Sequence, residues 1–202
     1  MDKRTIDTYN LLAKEYDEET VGFWERFPRT FIDKFAELSH GRVLDIGSGP
    51  GRDGLILKDK GLEVVCIDAS SAMVELSAAR GLESIMGDFT ALPFPSESFE
   101  AVWAYTSLLH VPKSGIATAL AEIGRVLKHQ GIFGLGLIEG DEEMYRESSG
   151  IGRSRWFSYY DKEEVDALLQ QHGFTTLYFE QFKPGSKNYL NFISKKRMAS
   201  KE

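Results

Sequence analysis

Short apolar runs alternate along this chain with segments whose apolar residues recur every three to four positions. The runs Arg42–Ile46, Glu63–Ile67, Glu83–Met86, Phe99–Ala104 and Gly131–Ile138 predict buried strands. Between them, helical spacing predicts Arg52–Lys60, Ser70–Ala79 and Lys113–Lys128 as helices. In the last of these Ile116, Leu120, Ile123, Val126 and Leu127 share one face. Strands alternating with helices imply parallel strands joined by right-handed crossovers. A further helix over Asp161–His172 is stopped by Gly173. Phe174–Phe182 and Tyr189–Ser194 follow, rich in β-branched and aromatic residues, with Pro184 and Gly185 between them. They predict an antiparallel hairpin on an otherwise parallel, doubly wound α/β sheet. Residues 1–40 read as a helical cap, and Asp141–Ser158 as a long insertion after the fifth strand, the kind of connection that forms lids and binding loops.

Composition narrows the class. A chain of 202 residues with 42% hydrophobic and 12% aromatic content suits one globular domain. No apolar run is long enough to span a membrane, and the opening Met1-Asp-Lys-Arg has no apolar region behind it for a signal peptide. The single cysteine, Cys66, sits in the apolar run VVCID and reads as core packing, so a reducing, cytoplasmic setting is expected. With 24 basic against 31 acidic residues the net charge is −7, which disfavours a nucleic acid partner. The basic tail of Lys195, Lys196, Arg197 and Lys201 reads as a solvated terminus.

The candidate chemistry starts at Val43–Gly54, VLDIGSGPGRDG. Gly47, Gly49 and Gly51 alternate in a turn between a strand and a helix, where φ > 0 and close approach of a ligand are both available. That arrangement is the ligand-binding crossover of a doubly wound sheet. An acid stands at the crevice end of three successive strands: Asp45, Asp68 and Asp88. A pyrophosphate tolerates few such acids, whereas the sulfonium and ammonium of S-adenosylmethionine favour them. Asp68, about twenty residues beyond the glycines, is placed to accept ribose hydroxyls.

VLDIGSGPGRDG, VVCIDASSAMVELSAARG, GDFTALPFPSESFEAVWAYTSLLHV and EIGRVLKHQG together resemble the successive motifs of class I S-adenosylmethionine-dependent methyltransferases, in the small-molecule type 11 and type 25 branch. The resemblance runs from about Tyr9 to Ser194 and implies one Rossmann-like methyltransferase domain over residues 1–202, with a seven-stranded sheet whose last strand is antiparallel. It places Gly47 and Gly49 beside the methionine part, Asp68 at the ribose, and Asp88 with Phe89 around the adenine. Asp45, Gly51, Arg52, Ala69, Met73, Gly87 and Tyr105 complete the implied cofactor set, with S-adenosylhomocysteine as the product. LKHQG departs from the family's usual proline and glycine before the fifth strand, in a turn remote from the cofactor.

Two other classes remain open on the residues alone. A nicotinamide- or flavin-dependent oxidoreductase fits the GxGxxG match at Gly49–Gly54, although Gly47 already begins the turn. A non-catalytic cofactor-binding module is the other. For a methyltransferase, the expected reaction is in-line transfer to oxygen or nitrogen of a small-molecule acceptor. AYTSLLHV lacks the Asn/Asp-Pro-Pro-Tyr-type motif that holds a planar amino group, and Cys66 stands in a different strand from a cytosine nucleophile. No His/Cys cluster has metal-ligand spacing.

His110, just past the fourth strand, is the candidate general base; the competing reading is a polar residue at a helix entry. YNLLAKEYDEE resembles the opening of related enzymes, in which a tyrosine-bearing helix covers the cofactor, and this resemblance makes Tyr16 a candidate lid residue. Phe23, Trp24, Phe27 and Phe31 could line an apolar mouth, but their helical spacing suits ordinary packing. In GRSRWFSYY, Arg153 and Arg155 could hold an acceptor anion while Trp156 or Tyr159 stacks on a planar group. The alternative pairs those arginines with Asp141, Glu142, Glu143 or Glu147 on the surface.

Overall fold

The computed structural model describes residues 2–147 and 153–198. Residues 148–152 of the predicted insertion, and Lys201 of the basic tail, lie outside the described residues. Four helices precede the first strand: α1 (Lys3–Leu11), α2 (Ala13–Thr20), α3 (Phe23–Arg26) and α4 (Thr30–Leu38). The Asp2 carboxylate caps α1 by accepting the Thr5 amide N–H at 2.8 Å. The alternation then runs β1 (Arg42–Ile46), α5 (Arg52–Asp59), β2 (Glu63–Asp68), α6 (Ser71–Ala79) and β3 (Glu83–Met86). It continues with β4 (Phe99–Tyr105), α7 (Ile116–Val126) and β5 (Leu127–Ile138). The last elements are β6 (Glu143–Glu147), β7 (Ser154–Ser158), α8 (Lys162–Gln171), β8 (Phe174–Phe182) and β9 (Tyr189–Lys196).

Seven strands form one sheet in the order β3-β2-β1-β4-β5-β9-β8. β9 inserts between β5 and β8 and runs antiparallel to both, so β8 at the edge is parallel to the rest. Burial on both faces explains the continuous apolar strands. Along β1 and its neighbours, Val43, Cys66 and Trp103 pack toward Phe31, Ile32 and Phe35 of α4 and Leu57 of α5. Leu44, Val65 and Val102 point the other way, toward Ile116 and Ile123 of α7 and Val165 and Leu169 of α8. The chain order reverses between β1 and β4, which opens a crevice beyond the carboxyl ends of those strands.

Two segments differ from the sequence reading. The helix expected over Lys113–Lys128 opens with a 3-10 turn and stops at Val126, because Leu127 pairs with Phe99 and already belongs to β5. A bulge follows, with Gln130 at φ 64° and Gly131 so tight against the Leu127 side chain that a Cβ would lie 2.8 Å from it. The insertion is no open loop: Glu143–Glu147 and Ser154–Ser158 pair antiparallel as a separate two-stranded sheet. That sheet is tied to α1, where Thr5 Oγ1 accepts the Trp156 amide at 2.9 Å and Thr8 Oγ1 donates to the Ser154 carbonyl at 3.0 Å. Among the described residues no helix is long and apolar enough to cross a membrane.

Candidate functional site

The glycine turn after β1 is held by its neighbours. The amides of Gly47 and Ser48 donate to the Ile67 carbonyl at 2.8 and 3.2 Å, bringing the turn against the end of β2. Gly47 has φ 64°, and a Cβ there would lie 2.4 Å from the Ser107 Cβ, so no other residue fits. Asp68 closes the arrangement. Its carboxylate accepts the Gly49 amide at 2.9 Å and the Ser70 amide at 2.8 Å, joining the turn to the start of α6.

Above this turn lies a cavity of about 300 Å³. Its floor holds three carboxylates: Asp45, Asp53 and Asp68. Burial raises the pKa of Asp45, and the charges of Asp53 and Asp68 raise it further. Burial likewise pushes up Asp68 against the amides that hold it, and Asp53 against two indole donors. Those donors are Trp24 Nε1 at 2.5 Å on Oδ1 and Trp103 Nε1 at 2.8 Å on Oδ2. Gly54 presses its backbone against the same group, so that a Cβ would stand 3.0 Å from Cys66 Sγ and 3.4 Å from Asp45 Oδ2.

The roof comes from the cap and the β6–β7 hairpin. Tyr9 and Tyr16, two helical turns apart in sequence, meet edge to face with centroids 5.3 Å apart. Arg155 of β7 lies 5.0, 5.8 and 5.4 Å from the rings of Tyr9, Tyr16 and Phe157. Its Nη1 donates to the Tyr9 hydroxyl at 2.7 Å, while its buried Nε has no partner. The cap is clamped onto the turn by Asp17, which takes Arg52 Nη2 at 2.5 Å and Arg80 Nη2 at 2.7 Å. Arg80 also donates to the Pro50 carbonyl at 2.7 Å.

His110 is buried in the cavity wall with both ring nitrogens engaged. Nδ1 lies 2.6 Å from the Trp156 carbonyl and Nε2 lies 2.8 Å from the Tyr9 hydroxyl. Burial pushes its pKa down to about 3, against the Trp156 hydrogen bond that raises it. The imidazole is therefore neutral near neutrality. Its Nδ1–H donates to the carbonyl, and its Nε2 lone pair takes the Tyr9 hydroxyl proton. No lone pair of His110 is left for another proton.

The predicted site residues divide. Around the cavity stand Asp45, Gly47, Gly49, Arg52 and Asp68. Met73, Phe89, Tyr105, His110, Tyr16 and Arg155 complete its walls. Gly51, Ala69, Gly87 and Asp88 lie outside the lining. Gly51 instead shapes the turn, where a Cβ would come within 2.8 Å of Ser77 and Leu82. Gly87 donates its amide to the Asp68 carbonyl at 2.9 Å, and Asp88 Oδ1 takes the amide and hydroxyl of Thr90, each at 2.8 Å. Arg153 is exposed and away from the cavity. Trp156 gives its indole N–H to Ser158 at 3.0 Å, and the Tyr159 hydroxyl accepts Arg146 at 2.7 Å; neither reaches the cavity. None of the four acids proposed as partners pairs with Arg153 or Arg155 among the described residues. Phe23 and Trp24 line the cavity, whereas Phe31 is packed in the core.

Tyr9, Asp53 and Lys187 were not singled out from the sequence. The Tyr9/Tyr16 spacing was a usable signal for the first. Asp53 is explained only by indoles 29 and 50 residues away, and Lys187 by a β8–β9 connection that returns to the cavity.

The family described as a methyltransferase domain matches residues 43–131. A demethylmenaquinone methyltransferase of Renibacterium salmoninarum is 34% identical over 142 residues, covering 65% of this chain and 58% of that protein. A malonyl-[acyl-carrier protein] O-methyltransferase of Halorhodospira halophila is 27% identical over 191 residues, covering 86% and 62%. Among curated relatives, the chain thus spans only about half to three fifths of the length of those first matched, at 58% and 50%. The solved complex of DhpI with SAH superposes with a TM-score of 0.79 at 18% identity, covering 98% of this chain and 97% of that one. The fold is the Rossmann-like methyltransferase fold.

Proposed function

We propose that this chain is a class I S-adenosylmethionine-dependent methyltransferase and that it methylates oxygen or nitrogen of a small-molecule acceptor inside the roofed cavity. The observation that carries the reading is the trio Asp45, Asp53 and Asp68 beneath the glycine turn. Three buried acids with raised pKa values form a site for a cation and repel a pyrophosphate. The donor set fits the cofactor: carboxylates for its ammonium and sulfonium, apolar Met73 and Phe89 for its base, and the partnerless buried hydroxyl of Ser107 beside Gly47 for a polar group. When bound, S-adenosylmethionine supplies an activated methyl group.

The protein's own part is alignment and exclusion of water. Positioning of this kind lowers a bimolecular barrier by roughly 7–11 kcal/mol. Asp68, with its amides already in place, is assigned to the ribose hydroxyls. Asp88, whose Oδ1 is held by Thr90 at the end of β3, is assigned to the adenine amino group. Tyr16 and Tyr9 close the site from above, and His110 positions Tyr9. The buried, unpaired Cys66 supports a reducing, cytoplasmic setting as part of this proposal. The O-methyltransferase relative of Halorhodospira halophila supports oxygen among the possible acceptor atoms.

Titration calorimetry with S-adenosylmethionine, S-adenosylhomocysteine and a nicotinamide dinucleotide tests the proposal. Binding of the first two is expected. Binding of the dinucleotide alone would overturn it.

A further inference from the structure

The roof of the cavity carries positive charge that no carboxylate pairs directly among the described residues. Arg155 and Lys187 both line it. Neither has a carboxylate within ion-pair distance among the described residues, in a chain of net charge −7. Arg146 stands nearby on β6, held to Tyr159, and likewise has no acidic partner among the described residues. Arg155 has one guanidinium nitrogen on Tyr9 and its buried Nε on nothing. Lys187 is at the mouth, where burial, then Arg155 and Arg146, lower its pKa. A guanidinium drawn into a cavity and left unpaired calls for an anion.

A second observation concerns protons. An alcohol, phenol or ammonium acceptor must lose a proton during transfer, and that proton needs a base. The titratable groups on the roof side are already committed. His110 Nε2 is taken by Tyr9, and burial raises the hydroxyl pKa values of Tyr9 and Tyr16. The three acids lie on the floor, in the part assigned to the cofactor. An acceptor that arrives ionised needs none of them.

Taking the methyltransferase reading as its basis, we infer that Arg155 and Lys187 form the acceptor subsite for a small carboxylic acid, whose carboxylate oxygen is itself methylated. One oxygen lone pair forms the O–C bond as the methyl–sulfur bond breaks, its electron pair going to sulfur. The carboxylate's negative charge and the sulfonium's positive charge are consumed together, giving a neutral ester and a thioether, with no proton to remove. A singly charged carboxylate suits two roof cations above an acidic floor better than a phosphate dianion does. Tyr105 and Tyr189, parallel within 9° with centroids 6.3 Å apart, and Phe23 give the acid's remainder an aromatic wall.

The test uses the whole protein saturated with S-adenosylhomocysteine. Benzoate, benzyl alcohol and inorganic phosphate are titrated in by calorimetry, on wild type, Arg155→Met and Lys187→Met. Benzoate is expected to bind in preference to the other two, and Arg155→Met to weaken it by roughly thirtyfold or more. Lys187→Met, at the solvent-facing mouth, weakens it less and stands in if Arg155→Met fails to fold. Equal or better binding of benzyl alcohol or phosphate overturns the inference, as does no benzoate binding or unchanged affinity in both variants. If S-adenosylhomocysteine itself does not bind wild type, the underlying methyltransferase reading fails instead. In parallel, wild type transfers label from methyl-labelled S-adenosylmethionine to a metabolite extract. The label should come off in mild alkali as volatile methanol, the mark of a methyl ester; alkali-stable label overturns the inference.

Discussion

The Tyr9 hydroxyl stands 2.8 Å from His110 Nε2, joining the first helix of the chain to the turn after β4. With Nδ1 on the Trp156 carbonyl, the neutral imidazole ties α1, that turn and β7 into one unit. Protonating it would charge a buried ring and break the acceptance from Tyr9. The folded pKa is about 3 against an ordinary 6.5. The unfolded chain therefore binds a proton below 6.5 that the folded chain refuses until about 3, and stability falls as pH drops across that window. His110→Gln, which cannot titrate, should show a smaller loss of Tm between pH 6.5 and 4 than wild type. Melting curves at stepped pH decide it, and parallel losses would dissociate His110 from the acid limb.

His110 also illustrates how far the sequence could be read. Its place beside the site was legible from strand order; its engagement was not, because the partners are 101 and 46 residues away. Arg42–Ile46 is legible because a central parallel strand buried on both faces leaves an unbroken apolar run, whereas Glu83–Met86, an edge strand covered only in part at Ser84 and Ile85, is legible from its place in the strand–helix alternation. Lys113–Lys128 overshot because Leu127 continues the helical stripe of α7 while pairing with Phe99, a contact that spacing does not reveal. β6 was hidden by its exposed, mostly polar side chains, with only Met144 partly covered, and β7, whose Ser154, Phe157 and Ser158 are buried, by a pairing with β6 that spacing does not reveal. Gly47 and Asp68 were legible as local turn chemistry. Arg155 was singled out for its charge, but only the fold separates it from Arg153, two residues away on the exposed side.

Asp53 is the acceptor for two indoles, and its two oxygens are divided between Trp24 and Trp103. An amide in its place keeps one acceptor and turns an N–H₂ toward the other indole N–H. Asp53→Asn should therefore cost about 1–3 kcal/mol of stability through the unsatisfied donor. Trp24→Phe, which removes the α3 donor, should cost less when combined with Asp53→Asn than alone. Urea unfolding of the double-mutant cycle measures the coupling, and strict additivity would contradict it.

Asp17 clamps α2 over the glycine turn through Arg52 and Arg80. The side chains are partly exposed, so Asp17→Asn should change global stability by less than about 1 kcal/mol. Its main effect should be on the roof. Release of S-adenosylhomocysteine, followed by stopped-flow, is expected to quicken several-fold. Unchanged release would mean that the cap does not have to open at this clamp.

Asp45 provides the sharpest pH test, because burial and two neighbouring acids raise its pKa together. Its ordinary value is 3.8, so above that pH the unfolded chain gives up a proton that the folded chain retains. Stability from this group is present at low pH and is lost as pH rises from 3.8 through the raised value. A cationic ligand reverses the preference. It favours the ionised carboxylates, so binding expels protons and tightens as pH rises through the same window. Asp45→Asn removes the titration while keeping the shape and an acceptor for the Gly54 amide. Without ligand, the variant should melt higher than wild type near neutrality. With S-adenosylmethionine, it should bind about tenfold more weakly, or about 1.4 kcal/mol. Calorimetry in two buffers of different ionisation enthalpy counts the protons released on binding. Wild type should release more than Asp45→Asn at pH values just above the ordinary carboxylate range. Equal release, with equal affinity, would remove the floor carboxylates from recognition of the cation.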